Sequence, residues 1–365
     1  MNRRQFLQAA AASAAAAVAL PTVLRGADER PALPEPTVAR LPRWRGFNLL
    51  EWFNGDYRKP FREEDFALIA ELGFNFVRLP LSYRCWNSGK VEEWDQIDDK
   101  ALEQIDQAVE LGKRHAIHVN INFHRAPGYC VNPPKEPLSL WEDEKALDTC
   151  AHHWAHFARR YKGRPNREVT FDLLNEPSDV PEETYAKVVR RLVAAIHEED
   201  PQRLIIADGL KWGGTPALSL AGIVAQSTRG YEPSRISHYK ANWMKGSDQW
   251  PAPTWPLRYE TKDHEEIWDR ARLMKNRIEP WKVLEQKGSG VHVGEWGAYN
   301  RTPHDVALAW MKDYLELWKQ AGWGWAMWNF RGSFGPVDSE RRDVKYESWK
   351  GHRLDRQMME LIRAY

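Results

Sequence analysis

The 365-residue chain sets 52 Lys and Arg against 51 Asp and Glu, a formal net charge of +1 with no basic run. That balance excludes an electrostatic nucleic-acid binder, because phosphates demand clustered Lys and Arg. Three cysteines, Cys85, Cys130 and Cys150, are too few for a disulfide framework; Cys85 and Cys130 can pair if their loops meet, and three buried thiols are the simpler expectation.

The chain begins Asn2-Arg3-Arg4-Gln5-Phe6-Leu7, a twin-arginine pattern, followed by an alanine-rich apolar run. That run is too short to cross a bilayer as a stable helix. Residues 1–27 therefore read as a signal for export in the folded state, with no membrane segment once it is removed. Residues 28–42, rich in Pro and charge, read as a linker. Residues 43–365 have even composition, and their length suits one (β/α)8 barrel.

Within that domain, short apolar strands are predicted at 45–50, 75–80, 116–124, 169–176, 204–209, 235–239, 291–295 and 322–330. Amphipathic helices are predicted between and after them, at 63–72, 98–114, 143–161, 182–199, 216–226, 263–286, 303–320 and 352–363. Parallel strands need a crossover each time, so eight strand–helix units predict a closed parallel α/β barrel, the TIM type, with long aromatic loops at the C-terminal face. The rival, an open doubly wound sheet, carries a Gly-rich phosphate turn after its first strand. "GFNLLEWFNG" is not one.

The strand ends are polar. Arg78 closes the second, His124 the third, Asn175 and Glu176 the fourth, His238 and Tyr239 the sixth, Glu295 the seventh, and Trp328 and Asn329 the eighth. In a barrel these side chains share one mouth. Two carboxylates converging there suit cleavage of a glycosidic bond, which needs a proton donor for the leaving oxygen and a nucleophile or activated water at the sugar carbon. Arg78 and a nearby imidazole would keep Glu295 ionised, leaving Glu176 as the acid.

"LLNEP" at Asn175-Glu176-Pro177, "VGEWG" at Glu295, "VRLP" at Arg78, "NFH" at His124 and "MWNF" at Trp328 together resemble glycoside hydrolase family 5, the cellulase-type family of the clan A four/seven barrel superfamily. The resemblance covers the chain from about Trp44 onward. It implies a retaining enzyme with Glu176 as acid/base and Glu295 as nucleophile, the two roughly 5–5.5 Å apart. Asn175 would bond the sugar 2-hydroxyl, and Trp328 would floor the subsite next to the cut, followed in many members by a cis peptide. The family's sixth strand usually ends His-x-Tyr, its Tyr touching the nucleophile. Here Ser237-His238-Tyr239-Lys240 puts Tyr directly after His, so either Tyr239 or Lys240 would face Glu295.

Nineteen Trp and twelve Tyr suit a groove that grips sugar faces, the alternative being a Trp-heavy core. The loop aromatics Trp52, Tyr57, Trp86, Tyr129, Trp212, Trp243, Trp250 and Trp255 are candidates, with Glu51 and Arg125 beside them. His152, His153 and His156 share a helix, but no HExxH motif joins them. No metal or cofactor is expected. The expected partner is a carbohydrate and the expected state a monomer. Endo-β-1,4-glucanase activity is the leading expectation. Exo-β-glycosidase and β-mannanase are alternatives within the family, with a non-catalytic carbohydrate-binding barrel or a metal-dependent barrel enzyme outside it.

Overall fold

The computed structural model describes residues 33–55 and 58–365. The export signal, the linker before residue 33 and Tyr57 lie outside the described residues. Barrel strands are numbered β1–β8 and helices of eight or more residues α1–α7. The first half runs β1 Arg45–Asn48, α1 Glu63–Glu71, β2 Phe76–Ser82, α2 Asp99–His115, β3 His118–Arg125, α3 Glu144–Arg160, β4 Val169–Asp172 and α4 Glu182–Glu199. The second runs β5 Ile205–Asp208, β6 Ala225–Gly230, α5 Glu279–Gln286, β7 Val291–Trp296, α6 His304–Ala321, β8 Gly324–Met327 and α7 Arg356–Ala364.

All eight strands pair in parallel and the sheet closes into a barrel, with Gly46 of β1 paired to Phe76 on one side and Ala326 on the other. The (β/α)8 expectation is borne out. At the N-terminal end, Trp44 stacks on His118 at 3.9 Å and Phe76 lies 4.6 Å from His292. Burial pushes both imidazoles down to about 3, so they sit there as neutral rings. Residues ahead of β1 lie against the barrel: Leu41 joins the cluster of Trp44, Phe76 and Ile206, and the Val38 carbonyl accepts from Gly290 N at 2.7 Å.

Four predicted elements are corrected. The sixth strand is Ala225–Gly230, not 235–239, and in place of the helix predicted at 216–226 there is only a 3-10 turn, Leu218–Leu220, before that strand begins. Residues Ser234–Ser237 form a single helical turn instead. The sequence "AQSTRG" has no apolar run because its polar side chains are satisfied inside the fold. Gln226 exchanges hydrogen bonds with the Ala217 backbone at 2.9 and 2.8 Å, and Thr228 Oγ1 donates to Gly213 O at 3.0 Å. The helix predicted at 263–286 starts late, after a hairpin of Leu257–Glu260 with Glu265–Trp268; from Arg270 the chain is helical, an α turn Arg270–Leu273 and a π turn Met274–Ile278 leading into α5. The last helix also starts late, after a hairpin of Glu347–Trp349 and His352–Leu354, with Asp355 capping α7 through Met358 N at 3.0 Å.

Ten of the nineteen Trp are fully buried. The Trp excess is therefore mainly a core property, with Trp296, Trp318 and Trp325 packed edge to face at 4.9 and 5.2 Å between β7, α6 and β8. No disulfide forms among the three cysteines; Cys85 and Cys150 are buried and Cys130 is half-buried.

Candidate active site

Glu295 owes its aim to the glycine before it. Between β6 and β7 the register jumps, Thr228 pairing with Val293 and Arg229 with Glu295, so Gly294 is skipped as a bulge. A Cβ on Gly294 would collide with Ser227 Oγ and come within 2.9 Å of Arg229 Nη1. Only glycine lets that guanidinium pass. The bulge turns the Glu295 carboxylate onto two cations at the barrel mouth, where it is 3% exposed. Arg78 Nη1 donates to its Oε1 at 2.7 Å and Arg229 Nη2 at 3.4 Å. Tyr231 OH donates to Oε2 at 3.3 Å.

Glu176 is presented differently. β4 ends at Asp172, four residues earlier than the sequence suggests. Glu176 then takes a left-handed backbone, φ 52°, held by two backbone contacts. Its N–H donates to Asp208 Oδ2 at 2.8 Å, and its carbonyl accepts from Tyr129 OH at 2.7 Å. A non-glycine residue in this region persists only where its surroundings hold it. The carboxyl keeps 16% exposure and accepts from Arg229 Nε at 2.8 Å. Burial, reinforced by the charge of Glu295, pushes it up to about 8. One carboxyl of the pair is thus held protonated at neutral pH.

Behind the pair, Arg78 Nε donates to Asp172 Oδ2 at 2.7 Å, Nη1 to Asn48 Oδ1 at 3.1 Å and Nη2 to Asn175 Oδ1 at 2.9 Å. Arg229 also reaches Asn175 Oδ1, at 3.0 Å, and clamps both oxygens of Asp208, Nη1 to Oδ1 at 2.9 Å and Nη2 to Oδ2. Burial, then the charge of Asp208, pushes Asp172 up to about 7. Arg229, Tyr231, Asp208, Asp172 and Asn48 were not anticipated from the sequence. A signal for the first two was present: Arg229-Gly230-Tyr231 is an Arg-x-Tyr at the place where the resembled family has His-x-Tyr. It went unseen because the strand carrying it lacks an apolar run.

The expected supporting residues divide. Arg78, His124 and Asn175 reach the site, His124 Nε2 lying 3.5 Å from Asn175 Nδ2. Burial, with Arg78 and Arg229 nearby, pushes the His124 imidazole well below its ordinary range, so it serves as a neutral partner. His238 sits beyond the helical turn and packs on Tyr231 at 5.1 Å without touching either Glu. Tyr239 is buried under Lys240 Nζ, 5.1 Å from its ring. Neither Tyr239 nor Lys240 makes a hydrogen bond to Glu295; Tyr231 does.

The aromatics divide too. Trp86 is core, 1% exposed, its Nε1 donating to His153 Nδ1 at 3.1 Å. Trp52 is also buried, Nε1 donating to Lys59 O at 3.1 Å. Trp255 is tied by Nε1 to Asp313 at 2.8 Å, and Trp250 lies against Arg235. Tyr129 braces the Glu176 loop. Trp328 is half-buried beside Phe53 and His124, and Asn329 Oδ1 accepts from Phe334 N at 3.3 Å. The Trp328–Asn329 peptide is trans, the cis bonds among the described residues all preceding Pro. Trp212 and Trp243 stand out at 54% and 56% exposure. Trp212 adjoins the Glu176 loop through its backbone N–H to Pro177 O at 3.1 Å. Arg125 is caged by the carbonyls of residues 132–134 and by Glu136, and the imidazoles of His152, His153 and His156 each bond elsewhere, to Asp95 O, Trp94 O and Asp99.

Comparison with known proteins gives the family of the chain. Residues 34–333 match the family model for cellulase, glycosyl hydrolase family 5. Endoglucanase C of Acetivibrio thermocellus is 25% identical over 331 residues, covering 83% of this chain and 95% of the relative. Cellodextrinase A of Ruminococcus flavefaciens is 23% identical, covering 76% and 82%. Among solved structures, one described as a glycoside hydrolase is 37% identical, with a TM-score of 0.83 over 88% of this chain and 99% of that one. The endoglucanase Cel5A from the hyperthermophilic Thermotoga maritima, at 23% identity and a TM-score of 0.70 over 87% and 96%, shares the fold. The chain belongs to glycosyl hydrolase family 5 and is a glycoside hydrolase enzyme.

Proposed function

We propose that the protein is a retaining endo-β-1,4-glucanase-like hydrolase working by double displacement, with Glu295 as nucleophile and Glu176 as acid/base. One observation carries the reading: a single guanidinium, Arg229, touches both carboxyls, Glu176 at 2.8 Å and Glu295 at 3.4 Å. Two carboxyls gathered on neighbouring nitrogens of one guanidinium favour the close approach of a retaining pair (about 5–5.5 Å) over the ~6.5–9.5 Å that an inverting pair leaves for water. The elevated Glu176 carboxyl fits the proton donor, and Glu295, with two guanidinium groups and a phenol on it, fits the nucleophile. The same two cations oppose the metal-dependent alternative, since they already fill the place of a divalent ion.

Exposed Trp212 beside the acid/base loop offers a platform for the leaving sugar, and exposed Trp243 another beyond Tyr231, the pattern a polymer chain needs more than a single terminal sugar does. The relatives named endoglucanase support the glucan preference. The twin-arginine start supports export to where such a polymer is met. The test is a screen on β-glucans, mannan and xyloglucan, with a 2-deoxy-2-fluoro-β-cellobioside trap. The expected result is falling viscosity of a soluble β-1,4-glucan and a fluorosugar ester on the peptide bearing Glu295. Label on another residue, or none despite turnover, refutes the assignment.

A further inference from the structure

Most of the polar contacts at the mouth serve one carboxyl each, whereas Arg229 serves both. Its Nε–Nη2 edge faces the reacting pair, Glu176 Oε1 at 2.8 Å and Glu295 Oε1 at 3.4 Å. Its Nη1–Nη2 edge clamps Asp208, whose Oδ2 also accepts from the Glu176 backbone N–H at 2.8 Å. Arg229 and Asp208 thus form a brace fixed at one end to the acid/base backbone and at the other to the carboxyl oxygens. Glu295 has a second cation in Arg78; among the described residues, Arg229 is the one cation within ion-pair distance of Glu176.

We propose that Arg229 is the positioning residue that couples the two carboxyls, carrying the counter-charge of Glu295 before attack and of Glu176 after it. The inference rests on the double-displacement reading above. In the first step a Glu295 oxygen bonds the anomeric carbon, the bond to the leaving oxygen breaks, and the Glu176 proton goes to that oxygen. Glu295 becomes a neutral ester and Glu176 a carboxylate. In the second step water gives its proton to Glu176 while its oxygen bonds the same carbon and the ester bond breaks, restoring the Glu295 carboxylate. The pair carries one negative charge throughout, and that charge changes place twice. Because the guanidinium is in contact with both sites, it follows the charge with little movement. Such preorganisation is the general way a fixed charge favours a reaction.

The other groups facing Glu176 leave this task to Arg229. Glu295 and Asp208 carry the same sign, His124 is neutral, and Tyr129 and Tyr231 are phenols. Arg78 is engaged by Asp172, Glu295, Asn48 and Asn175. Without Arg229 the base of the second step would have to ionise in a buried site with no cation touching it.

The test uses Arg229→Lys and the double variant Arg229→Met/Asp208→Asn, which leaves no buried carboxylate stranded at Asp208. The probe is 2,4-dinitrophenyl β-cellobioside, whose leaving group needs no proton, followed by stopped flow. In the double variant the burst should stay within about tenfold of wild type while steady turnover at pH 6 falls roughly 100-fold, the size of a general-base contribution. Turnover should recover as pH rises. Arg229→Lys should lie between. Equal loss in burst and steady state, with an unmoved pH profile, overturns the proposal. If wild type does not turn over the cellobioside, the substrate reading fails, and ¹³C NMR titration of the Glu176 carboxyl in the free proteins decides the coupling. A midpoint at least one pH unit higher in the double variant supports it, and an unchanged midpoint refutes it.

Discussion

Glu176→Gln removes a titration that the site holds far from its ordinary value, and stability should register the change. Burial and the Glu295 charge move that carboxyl from 4.5 to about 8, a difference of about 3.5. At ~1.4 kcal/mol for each pH unit this is a ceiling of about 5 kcal/mol against the ionised form. With 16% exposure and the Arg229 contact, roughly 1–3 kcal/mol is a sounder expectation. A carboxyl raised on folding favours the folded state fully below its unfolded value, and that contribution is lost as pH rises through the folded one. Glutamine stays neutral at every pH. Variant and wild type should therefore melt together near pH 4.5 and diverge toward pH 9, with the variant higher by roughly 2–6 °C. Melting curves by calorimetry across that range are the assay. Over the same range wild-type kcat/KM should fall with a midpoint near 8 as the acid deprotonates. A melting gap flat in pH, or one favouring wild type increasingly at high pH, refutes the account of Glu176 as the buried proton donor.

Three further outcomes follow from the geometry. Tyr231→Phe should lower kcat about tenfold by removing the 3.3 Å hydrogen bond on Glu295, while Tyr239→Phe leaves kcat unchanged; steady-state kinetics on a β-glucan compare them. Gly294→Ala drives a Cβ into Ser227 and Arg229, so it should lose about 1–3 kcal/mol by urea denaturation and most turnover together. Trp86→Ala should cost about 3–5 kcal/mol of stability with KM unchanged, whereas Trp212→Ala should leave stability within ~0.5 kcal/mol and raise KM on long glucans several-fold.

The sequence by itself determined the barrel and singled out Glu176 and Glu295 together with Arg78, His124 and Asn175. Strand–helix alternation is a local signal, and Asn175-Glu176-Pro177, Gly294-Glu295-Trp296, Arg78 and His124 stand in short motifs within or just after barrel strands. It failed at the sixth strand, where Gln226, Ser227, Thr228 and Arg229 find hydrogen-bond partners inside the fold and so give no apolar pattern to read. That miss hid Arg229 and Tyr231 and left Tyr239 or Lys240 as the residue expected to face Glu295. It also left the aromatic residues undivided, because Trp86 and Trp212 look alike in a loop until packing buries one and exposes the other. Only the tertiary structure could set one guanidinium between two carboxyls, one from the loop after β4 and one from β7. Such a contact depends on the register bulge at Gly294 and on burial, and neither is a property of any short stretch of chain.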